Sequence, residues 1–163
     1  MSRLFQKRIN KEIALYQKED FKFPNLILRP NYNNLHEWYF IVYDLKDTDY
    51  ESGIYYGKVD LPHEYPLKPP KFQFRTPNGR FDTNKSICTT FSNYHQDTYT
   101  STWNVMSMME GMISFMTEES NGIGSLSNTR SQRQVIAKNS LEWNKNDKEF
   151  NKVFPDIDQL ILN

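Results

Sequence analysis

The chain has 163 residues, with 20 basic and 20 acidic side chains, so its formal net charge is zero. That length suits one domain with a real core, and the charge balance argues against a dedicated nucleic-acid binder, which carries a basic excess to displace counterions. A single cysteine excludes an internal disulfide framework and a multi-cysteine zinc site, and no apolar run approaches the ~18–20 residues that span a bilayer or forms the core of a signal peptide.

The expectation is a soluble intracellular protein working in a reducing compartment. Charge is unevenly placed along it. Residues 1–23 hold six basic and three acidic side chains, while residues 44–64 hold six acidic and two basic ones. A polarised surface of this kind serves protein partners or simple solvation, and both readings stand at this point.

In chain order, the spacing of Phe5, Ile9, Ile13 and Tyr16 predicts an amphipathic helix with Ser2 as its N-cap. Arg3, Lys7 and Lys11 form a basic stripe beside the apolar one, and Phe23-Pro24 is the predicted end of the helical pattern. Four short β-like runs follow, over 25–29, 36–43, 54–61 and 71–75. Connections this short favour an antiparallel meander, since parallel crossovers need a dozen or more residues. Between the last two runs lies the proline-stiffened stretch Tyr65-Pro66-Leu67-Lys68-Pro69-Pro70.

From 76 to 102 the periodicity disappears, and long irregular segments in compact domains are commonly functional. Val105, Met108, Met109, Met112, Ile113 and Met116 then predict an apolar helix whose methionines fill core space. A Gly/Ser/Asn loop covers 121–128. Residues 129–154 read as one or two polar helices anchored by Val135, Ile136, Leu141, Trp143, Phe150 and Phe154, and broken at Pro155. The fold class is α+β, in a single domain over 1–163 with its core at about 3–155.

Cys88 lies in the irregular segment. A lone cysteine is either a small buried hydrophobe or a nucleophile. A phosphate loop of the Cys-x5-Arg type fails, because Tyr94 stands where arginine is required. His36, His63 and His95 form no recognisable protease signature, and one cysteine cannot make a Cys-x-x-Cys pair. The nucleophilic reading that remains is a thiol carrying an acyl group taken from an already activated thioester, which needs less deprotonating help than a protease cysteine.

The run Tyr65-Pro66-Leu67-Lys68-Pro69-Pro70, a Phe-rich strand, Thr76-Pro77-Asn78 and then Cys88 resembles the catalytic domain of the ubiquitin-conjugating enzymes. The element order is similar to that fold as well: N-terminal helix, four-stranded antiparallel meander, active-site segment, C-terminal helices. The family's common motif is His-Pro-Asn, and Thr76 replaces its histidine. The run Thr76-Pro77-Asn78-Gly79-Arg80-Phe81, the later Tyr94-His95-Gln96-Asp97-Thr98 and Gly111–Met116 resemble the branch anchored in the endoplasmic reticulum membrane. Members of that branch serve ER-associated degradation and carry a membrane helix after the catalytic domain. The sequence runs to Asn163 without such a helix. The resemblance therefore implies a cytosolic location, at the face of the endoplasmic reticulum if a longer form carries the anchor, and a membrane link only through that anchor.

The resemblance also implies roles. Cys88 accepts the ubiquitin C-terminus as a thioester from the activating enzyme and passes it to a substrate nucleophile. Asn78 orders the active-site loop or stabilises the oxyanion; it precedes Cys88 by ten residues, wider than the family's usual spacing, which favours loop order. His95 and Asp97 orient or deprotonate the acceptor, or else belong to a solvated turn. The 122–127 loop corresponds to a gate beside the cysteine, with Ser125 and Ser127 as candidates. Arg3, Lys7, Arg8 and Lys11 match the helix that docks the activating enzyme and RING ligases, and Leu67 matches the apolar position gripped by RING domains. In the second ligase loop Tyr99 stands for a usual tryptophan and Ser101-Thr102 for Pro-Ala, so that Trp103 begins the central helix. No metal and no bound cofactor are expected, ATP being consumed by the activating enzyme. Two alternatives remain at this stage: a non-catalytic binding module on the same fold, and a conjugating enzyme for another ubiquitin-like modifier.

Overall fold

In the computed structural model, which describes residues 2–18, 23–87, 99–118 and 126–162, the chain opens with helix α1, Arg3–Tyr16. The Ser2 hydroxyl accepts the Phe5 N–H at 3.1 Å and so satisfies one of the helix's orphan donors. Phe5 and Ile9 are fully buried, and Ile13 and Tyr16 pack against the same core. The helix stops at Tyr16 with Gln17 as its C-cap, ahead of the predicted stop at Phe23-Pro24.

The strands are β1, Leu26–Pro30; β2, Glu37–Tyr43; β3, Ile54–Asp60; and β4, Lys71–Phe74, in the antiparallel order β1-β2-β3-β4. The meander is the predicted one. Alternation along the strands separates two faces. Trp38, Phe40 and Val42 of β2, with Tyr55, Val59, Phe72 and Phe74, join the main core, while Tyr39, Ile41, Ile54 and Tyr56 turn to the other side. Gly57 lets the sheet close at its centre: a Cβ there would lie 2.2 Å from the Phe40 ring and 2.6 Å from the Gln73 carbonyl oxygen.

Helix α2, Val105–Thr117, covers the first face. Asn104 caps it in a reciprocal box with Ser107, and Val105, Met108, Met109, Met112 and Met116 enter the core. Trp103 therefore precedes the cap and does not begin the helix as expected. Helices α3, Arg130–Lys145; α4, Lys148–Val153; and α5, Ile157–Ile161, follow. Phe150, Phe154 and Ile157 cover the second face of the sheet, so packing continues past residue 155.

Two expected anchors of α3 face outward, Val135 at 58% and Trp143 at 40% exposure. The buried face of α3 carries Ala137, Ser140 and Asn144 instead. The reason is the surface it meets. Strand β4 pairs only with Gly57–Asp60, which leaves the β3 edge that faces away from β2 without a neighbouring strand at Ile54 and Tyr56. Unpaired buried backbone groups need polar partners, and large apolar residues would leave them unsatisfied. No helix among the described residues is long and apolar enough to cross a membrane.

Candidate active site and docking face

Residues 76–81 form a buried turn organised by Asn78, itself 1% exposed. Its amide nitrogen donates to the Thr76 carbonyl at 3.1 Å, while its Oδ1 accepts the N–H groups of Arg80 at 2.9 Å and Phe81 at 2.7 Å. One side chain thus replaces the backbone pairing that the turn lacks. Gly79 holds a φ of 76°, in the left-handed region that glycine tolerates without penalty.

The turn is tied down from three directions. Thr76 bonds to β3 and to Asn144 of α3. Arg133 of α3 donates to the Gly79 carbonyl at 3.2 Å. Arg80, 1% exposed, lies against the rings of Phe81 and Phe115 and donates to the Phe115 and Met116 carbonyls at the end of α2. Burial pulls the Arg80 guanidinium below the usual arginine range. These cation–π contacts and carbonyl bonds offset its desolvation. The Arg80 carbonyl in turn accepts the Leu126 N–H at 2.9 Å, fixing the exit of the predicted gate loop.

Downstream, Ile87 is buried and its N–H reaches the Phe72 carbonyl of β4 at 2.8 Å. The residue before Cys88 is thereby held at the sheet edge. Cys88, His95, Asp97 and Ser125 lie outside the described residues, as do most of the 122–127 loop and the 88–98 segment. Ser127 is exposed.

The expected docking residues divide. Arg3, Lys7 and Lys11 are exposed on α1, as are Leu67, at 67%, and Ser101 and Thr102. Arg8 is turned inward: it donates to the Ser101 and Trp103 carbonyls at 2.6 Å each and to Glu12 at 3.1 Å, and lies over the Tyr65 ring. Its donors serve the chain's own 101–103 carbonyls and Glu12, so that it stands apart from the exposed stripe of Arg3, Lys7 and Lys11. A groove of about 600 Å³ runs beside it, lined by Lys11, Leu15, Lys18, Thr102 and Asn104.

Glu12 was not anticipated. It is 3% exposed and accepts four bonds: from Arg8 at 3.1 Å, Tyr16 at 3.0 Å, Tyr65 at 2.6 Å and the Val105 N–H at 2.8 Å. The carboxylate joins α1, the 62–70 loop and the N-terminus of α2, where the helix dipole favours negative charge. Burial first, and Glu12 second, push the Tyr16 and Tyr65 hydroxyls far above the usual tyrosine range. Tyr99 donates to the Pro66 carbonyl at 2.7 Å and packs edge-on to Trp103, and burial pushes its hydroxyl up to about 12.

A charged residue on the Phe5–Ile9–Tyr16 stripe was the available sign of this hub. For Ser140 and Asn144 the sign was a run of small and polar residues at helical spacing. Among the described residues no group of three His, Cys, Asp or Glu side chains converges to hold a metal ion.

The sequence profile of the ubiquitin-conjugating enzyme family matches residues 8–155. "Ubiquitin-conjugating enzyme E2 6" of Candida glabrata is 38% identical over 153 residues, which cover 93% of this chain and 61% of that protein. "Ubiquitin-conjugating enzyme E2 34" of Arabidopsis thaliana is also 38% identical, over 92% of this chain and 62% of its own length. "Ubiquitin-conjugating enzyme E2 J2-like" of Dictyostelium discoideum is 32% identical, with 91% and 86% covered. The chain thus spans about three fifths of the length of the first two relatives. Among solved structures, human ubiquitin-conjugating enzyme E2 G1 superposes with a TM-score of 0.60 at 22% identity, over 69% of this chain and 94% of that one, a likeness of fold.

Proposed function

The chain belongs to the ubiquitin-conjugating enzyme family, and we propose that it carries ubiquitin as a thioester on Cys88 and transfers it to a substrate nucleophile. The observation that carries this reading is the buried, self-bonded Asn78 turn, together with Ile87 tied to β4 one residue before the cysteine. A transfer site needs a rigid frame of this kind on which a reactive thiol is presented.

In the first step the Cys88 thiolate attacks the thioester carbonyl of ubiquitin on the activating enzyme, and that enzyme's cysteine leaves as thiolate. In the second, an acceptor nucleophile attacks the Cys88 thioester, an amide or ester forms, and Cys88 leaves as thiolate while the acceptor's proton passes to a base. His95 and Asp97 orient the acceptor or take that proton. Asn78 acts by ordering the turn, since its oxygen and an amide hydrogen are engaged there. ATP is consumed upstream by the activating enzyme, and no bound cofactor is needed.

The exposed Arg3, Lys7 and Lys11, with Leu67, Ser101 and Thr102, dock the activating enzyme and a RING ligase. The Thr76–Phe81 motif supports service in degradation linked to the endoplasmic reticulum, at its cytosolic face if a longer form carries an anchor. Charging tests the reading: with ubiquitin, ATP and an activating enzyme, the protein gains a ubiquitin-sized, thiol-sensitive adduct that Cys88→Ala lacks. No adduct, with activating enzymes proven on a control protein, refutes it and favours a non-catalytic binding module; an adduct with a different modifier only would redefine the cargo.

A further inference from the structure

Past the end of β4, the outward-facing backbone groups of β3 at Ile54 and Tyr56 find partners in three side chains and in the backbone of residues 75–76. The Ile54 N–H donates to Ser140 Oγ at 2.8 Å, and the Ile54 carbonyl accepts from Asn144 Nδ2 at 2.7 Å. The Tyr56 carbonyl accepts the Arg75 and Thr76 N–H groups, and the Tyr56 N–H donates to Thr76 Oγ1 at 2.8 Å. Thr76 Oγ1 then donates to Asn144 Oδ1 at 2.5 Å. Thr76 and Asn144 are both fully buried.

The donor and acceptor pattern admits one arrangement. A hydroxyl has one hydrogen, and here its lone pair receives the Tyr56 N–H, so the hydrogen points to Asn144. A carbonyl only accepts, so the amide nitrogen of Asn144 faces Ile54 and its oxygen faces Thr76. The carbonyl of the same Thr76 receives the Asn78 side chain, which gathers the Arg80 and Phe81 amides.

From this chain of bonds we infer that Asn144, on a helix remote in sequence, is a positioning residue for the transfer site, acting through the Thr76 hydroxyl to hold the Asn78 turn. Thr76 stands where the family's common motif carries histidine, and its short side chain bridges the Tyr56 N–H of β3 and the Asn144 amide of α3. Ser140 satisfies the same strand edge without touching Thr76, and so separates positioning from plain stability.

The kinetic arm of the test rests on the conjugating-enzyme reading; the exchange arm does not. Thr76→Val keeps the shape and removes the hydroxyl, Thr76→Ser keeps the hydroxyl, Asn144→Ala removes the amide, and Ser140→Ala is the control. Amide hydrogen exchange is followed at Arg80 and Phe81, and single-turnover discharge of the charged enzyme to a free amine is timed without ligase. Thr76→Val and Asn144→Ala are expected to speed exchange at both amides and to slow discharge by about tenfold each, the equivalent of one hydrogen bond. Charging should stay within about twofold of the parent. Thr76→Ser should restore both readouts, and Ser140→Ala should lower the melting temperature while leaving them unchanged.

Unaltered exchange at Arg80 and Phe81 in Thr76→Val overturns the inference, and so does an equal effect from Ser140→Ala. Thr76→Val needs no amide change in α3, so the inference stays decidable if Asn144→Ala does not fold. If the parent protein forms no thioester, the functional reading falls while the exchange comparison still decides the positioning role.

Discussion

Replacing Glu12 by glutamine probes whether the docking elements are held together by one buried charge. Glutamine has the same shape but one acceptor oxygen. Oε1 of Glu12 serves Tyr16 and Val105, and Oε2 serves Arg8 and Tyr65. If the amide oxygen keeps the first pair, its NH₂ group faces the Arg8 Nε–H and the Tyr65 O–H. The tyrosine can rotate its hydrogen and accept, but the guanidinium only donates. One donor-to-donor contact therefore remains where an ion pair stood, with the Arg8 and Glu12 side chains 19% and 4% exposed.

Removing one partner of a largely buried pair costs about 3 kcal/mol. In a chain of this size that lowers the melting temperature by roughly 6–12 °C, at about 2–4 °C per kcal/mol. Urea denaturation should show a lower midpoint at unchanged slope. Charging at a temperature where both proteins are folded should require more activating enzyme for half-maximal rate, because Arg8, which ties the Ser101 and Trp103 carbonyls to α1, loses the carboxylate that orients it. A variant within about 0.5 kcal/mol of the parent, the range of an ordinary surface change, would refute the hub.

Lys7→Glu with Lys11→Glu should slow charging by reversing exposed charge while leaving stability within about 0.5 kcal/mol, as surface substitutions do; a normal charging rate would remove these residues from the docking face. Leu67→Ala should preserve charging and abolish ligase-stimulated discharge, read by comparing discharge with and without a RING domain. Asp156 reports on α5: its bond from the Arg29 guanidinium holds its carboxyl below the ordinary aspartate range, against the opposing effect of burial. The unfolded chain then takes up that proton first as pH falls. The contribution to stability is complete above the ordinary aspartate range and is lost as pH drops through the lowered value, so Asp156→Asn should flatten that part of a stability-versus-pH curve.

Much of the architecture was visible in the residues. The Phe5–Ile9–Tyr16 spacing, the Ser2 cap, the alternation of Phe72 and Phe74 and the methionine-rich α2 are local patterns whose period matches the element they build. Apart from the earlier stop of α1, each of these elements formed within a residue or two of its expected bounds. The turn from Thr76 to Phe81 is likewise one continuous stretch, and it closes on itself through Asn78. Val135 and Trp143 misled, since their apolar character pointed inward while α3 meets a strand edge that requires hydrogen-bonding groups.

Arg8 shows the same boundary from the other direction. As a pattern it belongs with Arg3, Lys7 and Lys11, and nothing local distinguishes it. Its inward orientation is set by carbonyls at Ser101 and Trp103, more than ninety residues away. Hydrophobic periodicity and capping act between neighbours in the chain, so the residues alone decided the helices, the strands and their order. Which polar side chains became structural depended on where folding stranded a buried carbonyl or N–H, at the open edge of β3 and the start of α2, and those demands come into being only once distant segments meet.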